Sequence, residues 1–142
     1  RAEDTAKAIS PGGWFDSGDL GYLDEDGFLF LVDRAKDIIV RGGENISCLE
    51  VEACIPAHPE VRDVTVFGLP DERLGEVVTA MVYLRPDGSG AEAEDIQAFA
   101  GQTLARYKVP AEILFADAPL PRGATEKIDK KTVRAAILAE RS

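Results

Sequence analysis

Asp19 lies in a Ser17-Gly18-Asp19 turn. There an ionised carboxylate can accept hydrogen bonds from two neighbouring hydroxyls, as a ribose presents them, or bond its own backbone as an Asx-type turn. Arg34 carries a rigid guanidinium fork that suits sugar or phosphate oxygens, or stands as a solvated charge. Lys36 follows in a charged knot with Asp33 and Asp37. Gly42-Gly43 frees the backbone to take positive φ, or admits a group where a Cβ would collide. Near the far end Lys127 sits in a polar loop with Arg122, Gly123 and Thr125. Its ammonium is either solvated or available to stabilise charge that develops in a closed site.

These residues need elements to hold them. Ile38-Ile39-Val40 is β-branched and too short for a helix, so it reads as a brief buried strand ahead of the diglycine turn. Ser47 followed by Glu50 is a capping box that starts a helix, and Pro56 stops or kinks that helix near Ile55. Upstream, Tyr22-Leu23 and Phe28 to Val32 flank Asp24-Glu25-Asp26-Gly27, a hairpin signal over residues 20–33. Residues 1–13 read as a short polar helix that ends in Ser10-Pro11-Gly12-Gly13, after which Trp14 and Phe15 open a core-seeking segment.

Downstream, Val61 to Phe67 alternates as a strand and Gly68-Leu69-Pro70-Asp71 reads as a turn. Val77 to Leu84 is the strongest strand signal. Glu92 to Leu104 has helical spacing, with acidic residues in its first turn and Arg106 and Lys108 past its end, as the helix dipole favours. Ile113-Leu114-Phe115 is a short strand, Pro119 and Pro121 stiffen the approach to the Lys127 loop, and Asp129 to Glu140 closes as a helix. The fold class is α+β: a small domain with a central β-sheet flanked by helices, preceded by a β-hairpin piece of something larger.

Bulk properties narrow the function. A chain of 142 residues, 45% hydrophobic and 30% charged, holds one real core or two small ones. A formal net charge of −10 argues against nucleic acid as the main partner. Cys48 and Cys54 form neither a disulfide framework nor a metal set and read as buried small apolar residues. His58, the only histidine, has no nucleophile to serve and is structural; no metal-ligand spacing is present. No apolar run approaches the roughly 18 residues of a membrane span, and no signal peptide opens the chain, so a cytoplasmic protein is expected. Arg1 stands where an initiator methionine is usual, which suggests a fragment of a longer protein.

Three stretches, taken together, resemble the last three signature motifs of the AMP-forming acyl-CoA synthetase (adenylate-forming ligase) superfamily. They are Trp14-Phe15-Asp16-Ser17-Gly18-Asp19-Leu20-Gly21, the run from Asp33 to Glu50, and Pro121-Arg122-Gly123-Ala124-Thr125-Glu126-Lys127-Ile128. Their order and spacing match over about Gly12 to Arg134. The resemblance implies that Asp19 and Arg34 bind the nucleotide, that Lys36 is a hinge, and that Gly42, Gly43 and Glu44 lie along the tunnel for the pantetheine arm of coenzyme A. It implies that Lys127 is the adenylation lysine. Ser17 replaces the commoner threonine, and Glu126 stands where the family usually has glycine.

The same resemblance implies a remnant of the large adenylating domain over 1–33, a hinge at 34–36 and a mobile C-terminal domain over 37–142. It implies an AMP-forming acid–thiol ligase that uses ATP with magnesium, coenzyme A and a carboxylic acid. The partner is then its own N-terminal domain. The isolated chain is expected to be inactive and to hold no cofactor tightly. A free-standing binding module of the same fold, and an adenylation domain serving a carrier protein, stand as the alternatives.

Overall fold

The computed structural model describes residues 2–142 and divides them into two compact units, one ending at Asp37 and the other running from Ile38 to Ser142. The first holds helix α1 (Ala2–Ala8) and the antiparallel hairpin of β1 (Asp19–Leu23) and β2 (Leu29–Arg34). Asp24 explains the hairpin turn: its carboxylate accepts the amides of Asp26 and Phe28, and Gly27 takes φ +84°. Trp14 and Phe15, expected to seek a core, are 81% and 71% exposed. The described residues of this unit offer only a two-stranded sheet and one short polar helix to bury them.

The second unit is a sheet with helices on both faces. Strand β3 (Ile38–Arg41) pairs with β4 (Glu44–Ser47), and the hairpin of β5 (Val61–Asp71) and β6 (Gly75–Leu84) forms the rest of the antiparallel framework. Strand β7 (Glu112–Phe115) adds parallel to β6. Beyond β5, the other edge of β6 is divided: Gly75 pairs with Arg41 of β3, and Thr79 to Val82 pair with β7.

Strand alternation splits the core in two. Val64 and Val66 of β5 with Val78, Ala80 and Val82 of β6 pack against Val51 of α2 (Cys48–Cys54) and Ile96 and Ala100 of α3 (Ala93–Ala100). Phe67, Leu69 and Met81 point the other way, to Val133 and Ile137, one helical turn apart on α4 (Lys130–Arg141).

Several local expectations hold in detail. Ser47 Oγ accepts the Glu50 amide at 3.3 Å and starts α2; Ile55–Ala57, with Pro56 in its first turn, continues as 3-10. Asp129 caps α4 through the Thr132 amide. Others need correction. Gly68 to Asp71 is strand, not turn, and Pro70 pairs with Glu76. Strand β5 lies at the sheet edge, so the missing proline N–H breaks no ladder bond. The turn comes later, where Asp71 Oδ1 accepts the amides of Arg73 and Leu74. Helix α3 stops at Ala100, before Gly101, rather than reaching Leu104. Strand β4 has no counterpart among the sequence expectations. Cys48 is buried, but Cys54 is only half-buried, its Sγ 3.7 Å from Thr103 Oγ1. No described helix is long and apolar enough to cross a membrane.

Candidate functional site

In the first unit the hairpin brings two of the sequence-selected residues together. Asp19 and Arg34 are register partners at the open end of β1 and β2, and Arg34 Nε lies 3.4 Å from Asp19 Oδ1. The turn before Asp19 is built by its neighbours: Asp16 Oδ1 accepts the Gly18 amide at 2.8 Å, and Ser17 Oγ accepts the Asp19 amide at 3.2 Å. Asp16 therefore takes the Asx role, and the Asp19 carboxylate is left to face Arg34. Behind them Asp33 is buried and its carboxylate accepts the Arg34 amide at 2.7 Å. Lys36 follows, exposed, in the 3-10 turn Ala35–Asp37.

In the second unit Gly42 and Gly43 are the two central residues of the β3–β4 turn, with φ of +56° and +89°. Positive φ at both is what a type I′ hairpin demands, and glycine meets it without a Cβ penalty. The turn is fastened to the far hairpin: the Gly42 amide donates to Leu74 O at 2.8 Å, and Glu76 Oε2 accepts the Val40 amide at 2.9 Å. A Cβ on Gly42 would meet Leu74 Cδ2 at 3.2 Å. Glu44 is exposed beside them.

Lys127 lies in a narrow loop closed by an antiparallel bridge between Arg122 and Ile128. The Gly123 amide donates to Lys127 O at 2.8 Å and the Glu126 amide to Gly123 O at 3.0 Å. Glu126 takes φ +61°, so the loop keeps a left-handed residue where a glycine would be unstrained. Lys127 is exposed and makes no ion pair with Glu126 or any other described residue. The loop is anchored by Arg122, whose guanidinium reaches Asp63 at the start of β5 at 2.9 Å.

The two loops thus hang from opposite ends of the same hairpin. The diglycine turn sits by Leu74, beyond the Asp71 end of β5, and the Lys127 loop by Asp63. At the rise of an extended strand, Asp63 and Asp71 are roughly 27 Å apart.

Electrostatics around the sheet is local. Lys108 Nζ lies 2.8 Å from both oxygens of Glu50, and that hydrogen-bonded pair raises the lysine above its usual value. Thr132, through its hydroxyl and its amide, holds Asp129 below the usual carboxylate range. His58 stacks edge-on against Phe99 and accepts the Glu60 amide on Nδ1, a structural role. Among the described residues no group of three or more His, Cys, Asp or Glu is arranged to hold a metal ion. Asp63 and Leu74, the anchors of the two loops, escaped the sequence reading, since each lies about 30 residues or more along the chain from what it anchors and follows no local spacing rule.

Residues 50–127 match the model of the AMP-binding enzyme C-terminal domain. The chain is 47% identical, over 96% of its length, to 2-succinylbenzoate–CoA ligase of Geobacillus kaustophilus, of which it covers 27%. It is 44% identical, over 92% of its length, to crotonobetaine/carnitine–CoA ligase of Proteus mirabilis, of which it covers 25%. The structure of o-succinylbenzoate CoA synthetase from Bacillus subtilis in complex with its acyl-adenylate intermediate superposes with a TM-score of 0.78 at 38% identity. That match covers 90% of this chain and 26% of the other. The chain therefore spans about a quarter of the length of the relatives it matches.

Proposed function

The chain belongs to the AMP-binding enzyme C-terminal domain family, and from that premise we propose that it is the C-terminal part of an acyl-CoA synthetase. In this reading the whole enzyme joins a carboxylic acid to ATP, giving acyl-adenylate and pyrophosphate, and coenzyme A then displaces AMP to give the thioester. Both named relatives are CoA ligases, which favours coenzyme A over a carrier protein as the acceptor.

The observation that carries the reading is the separation of the Lys127 loop and the Gly42-Gly43 turn at opposite ends of the β5–β6 hairpin. Such a domain cannot present both loops to one reaction centre at once. It presents Lys127 first, whose ammonium stabilises charge on the α-phosphate as the acid's carboxylate attacks. It then rotates, withdraws Lys127 and offers the diglycine turn, where the missing Cβ atoms leave room for the pantetheine arm. The pivot is Lys36, exposed in the 3-10 turn just before the division after Asp37.

On the other side of that pivot, Asp19 accepts the ribose hydroxyls and Arg34, its ion-pair partner, reaches the nucleotide. Magnesium accompanies the triphosphate; we assign it no ligand among the described residues. The isolated chain lacks an acyl pocket and a phosphate-binding loop in this reading, and so carries no turnover of its own.

The test is made on the full-length polypeptide. Lys127→Ala should abolish acid-dependent ATP–pyrophosphate exchange yet spare thioester formation from supplied acyl-adenylate. Equal loss of the two half-reactions would sink the role given to Lys127.

A further inference from the structure

We infer that Arg122, braced by Asp63, is a positioning residue for Lys127, holding the backbone on both sides of that lysine while leaving its amine free. The inference rests on the reading that Lys127 serves adenylation. Arg122 uses two different nitrogens for two different partners. Nη1 donates to the backbone carbonyl of Glu126 at 2.8 Å, and Nη2 to Asp63 Oδ1 at 2.9 Å. The first bond pins the peptide group that precedes Lys127. The Gly123 amide pins the one that follows it, by donating to the Lys127 carbonyl at 2.8 Å. Both peptide planes flanking the Lys127 Cα are thereby fixed.

The brace reaches rigid structure. Asp63 belongs to β5, pairs with Tyr83 of β6, and has a side chain only 12% exposed, so its pairing with Arg122 is less screened by solvent than a fully exposed pair. The clamp also accounts for Glu126: its left-handed backbone is disfavoured for a residue with a Cβ, and the Arg122 bond to its carbonyl is one of the contacts that hold it there. The planar fork is essential to this arrangement. A lysine ammonium could pair with Asp63 but has no second, rigidly offset donor for the Glu126 carbonyl.

The test uses the full-length enzyme and reads the two half-reactions separately. In Arg122→Ala, kcat for acid-dependent ATP–pyrophosphate exchange should fall about tenfold or more, because a reacting group misplaced by an ångström costs that much. KM for ATP and thioester formation from supplied acyl-adenylate should stay within about twofold of the parent. Arg122→Lys should recover only part of the loss. Removing Asp63 as well, in Arg122→Ala/Asp63→Ala, should add little, since the brace is already gone. Asp63→Asn keeps the side-chain shape and should show the same split, which covers the case in which Arg122→Ala does not fold. Parallel loss in both half-reactions, full rescue by lysine, or unchanged adenylation in a folded variant overturns the inference. If Lys127→Ala in the same enzyme retains adenylation, it is the proposed function that fails. If Lys127→Ala abolishes adenylation and Arg122→Ala leaves it intact, the positioning role alone falls.

Discussion

Asp19 and Arg34 face each other as register partners in the first hairpin, with Arg34 Nε 3.4 Å from Asp19 Oδ1. Both side chains are partly exposed, so the pair itself adds little stability. Its consequence is orientation. The guanidinium holds the carboxylate through Oδ1. In the full-length enzyme Asp19→Asn should raise KM for ATP roughly 10- to 100-fold, the worth of a hydrogen bond to a charged group. Arg34→Ala should raise it too, and an unchanged ATP dependence in both variants would remove the pair from the nucleotide site.

Gly43 has φ +89° and nothing within 4 Å of where a Cβ would stand. Gly43→Ala therefore carries a purely conformational penalty, about 1–2 kcal/mol, readable by urea denaturation of the 142-residue chain. In the full-length enzyme the same variant should slow thioester formation while pyrophosphate exchange holds. A loss confined to pyrophosphate exchange would contradict the placement of this turn beside coenzyme A.

Glu52 joins three elements. Its Oε1 accepts the Val66 amide at 2.7 Å and the Thr65 hydroxyl at 3.2 Å, and lies 2.9 Å from Lys130 Nζ at the start of α4. Glu52→Ala strands a buried backbone donor and should cost about 1–3 kcal/mol in chemical denaturation. Glu52→Gln keeps an acceptor for Val66 and should cost less; if the two variants denature alike, the Val66 bond is not what Glu52 contributes.

Two side chains contribute to the pH dependence of this unit's stability. Asp129 titrates below its usual range because Thr132 bonds its charged form. Its stabilisation is complete above the unfolded carboxylate range and is lost as pH falls through the depressed native value. Lys108 titrates above its usual range because of Glu50. Its stabilisation is complete below the unfolded lysine range and is lost as pH rises through the raised native value. Melting temperature against pH should show a shallower acid limb in Asp129→Asn and a shallower alkaline limb in Lys108→Met. An acid limb that persists unchanged in Asp129→Asn would assign it to other carboxylates.

Much of this architecture could be read from local pattern. Ile38 to Val40, Ser47 with Glu50, and Asp24 with Gly27 each encode an element within a few residues, and each element forms there. What local pattern could not supply was depth and partnership. Pro70 signals a turn in isolation and becomes strand because β5 is an edge. Trp14 and Phe15 signal burial that the described residues do not provide. For the candidate site, the residue types at Asp19, Gly42-Gly43 and Lys127 stand out in the sequence. That Asp63 and Leu74 fix two of those loops depends on the closing of the sheet, which no short window of sequence contains.

Strand β6 gives one flank to β5 along its length and divides the other between β3 and β7. These latter two segments lie far apart in sequence, while β5 and β6 are joined by a short turn. Closing the β5–β6 hairpin costs little chain entropy, as does closing β3 on β4 through its two-residue turn; docking that second hairpin or β7 onto β6 closes longer loops and costs more. The expected order of folding is therefore the two hairpins first, with β3 and β7 then joining separate stretches of the same flank of β6. The Lys127 loop then acquires its place late, against a nucleus that does not contain it, so substitutions that retune it should change the unfolding rate and leave the folding rate almost untouched.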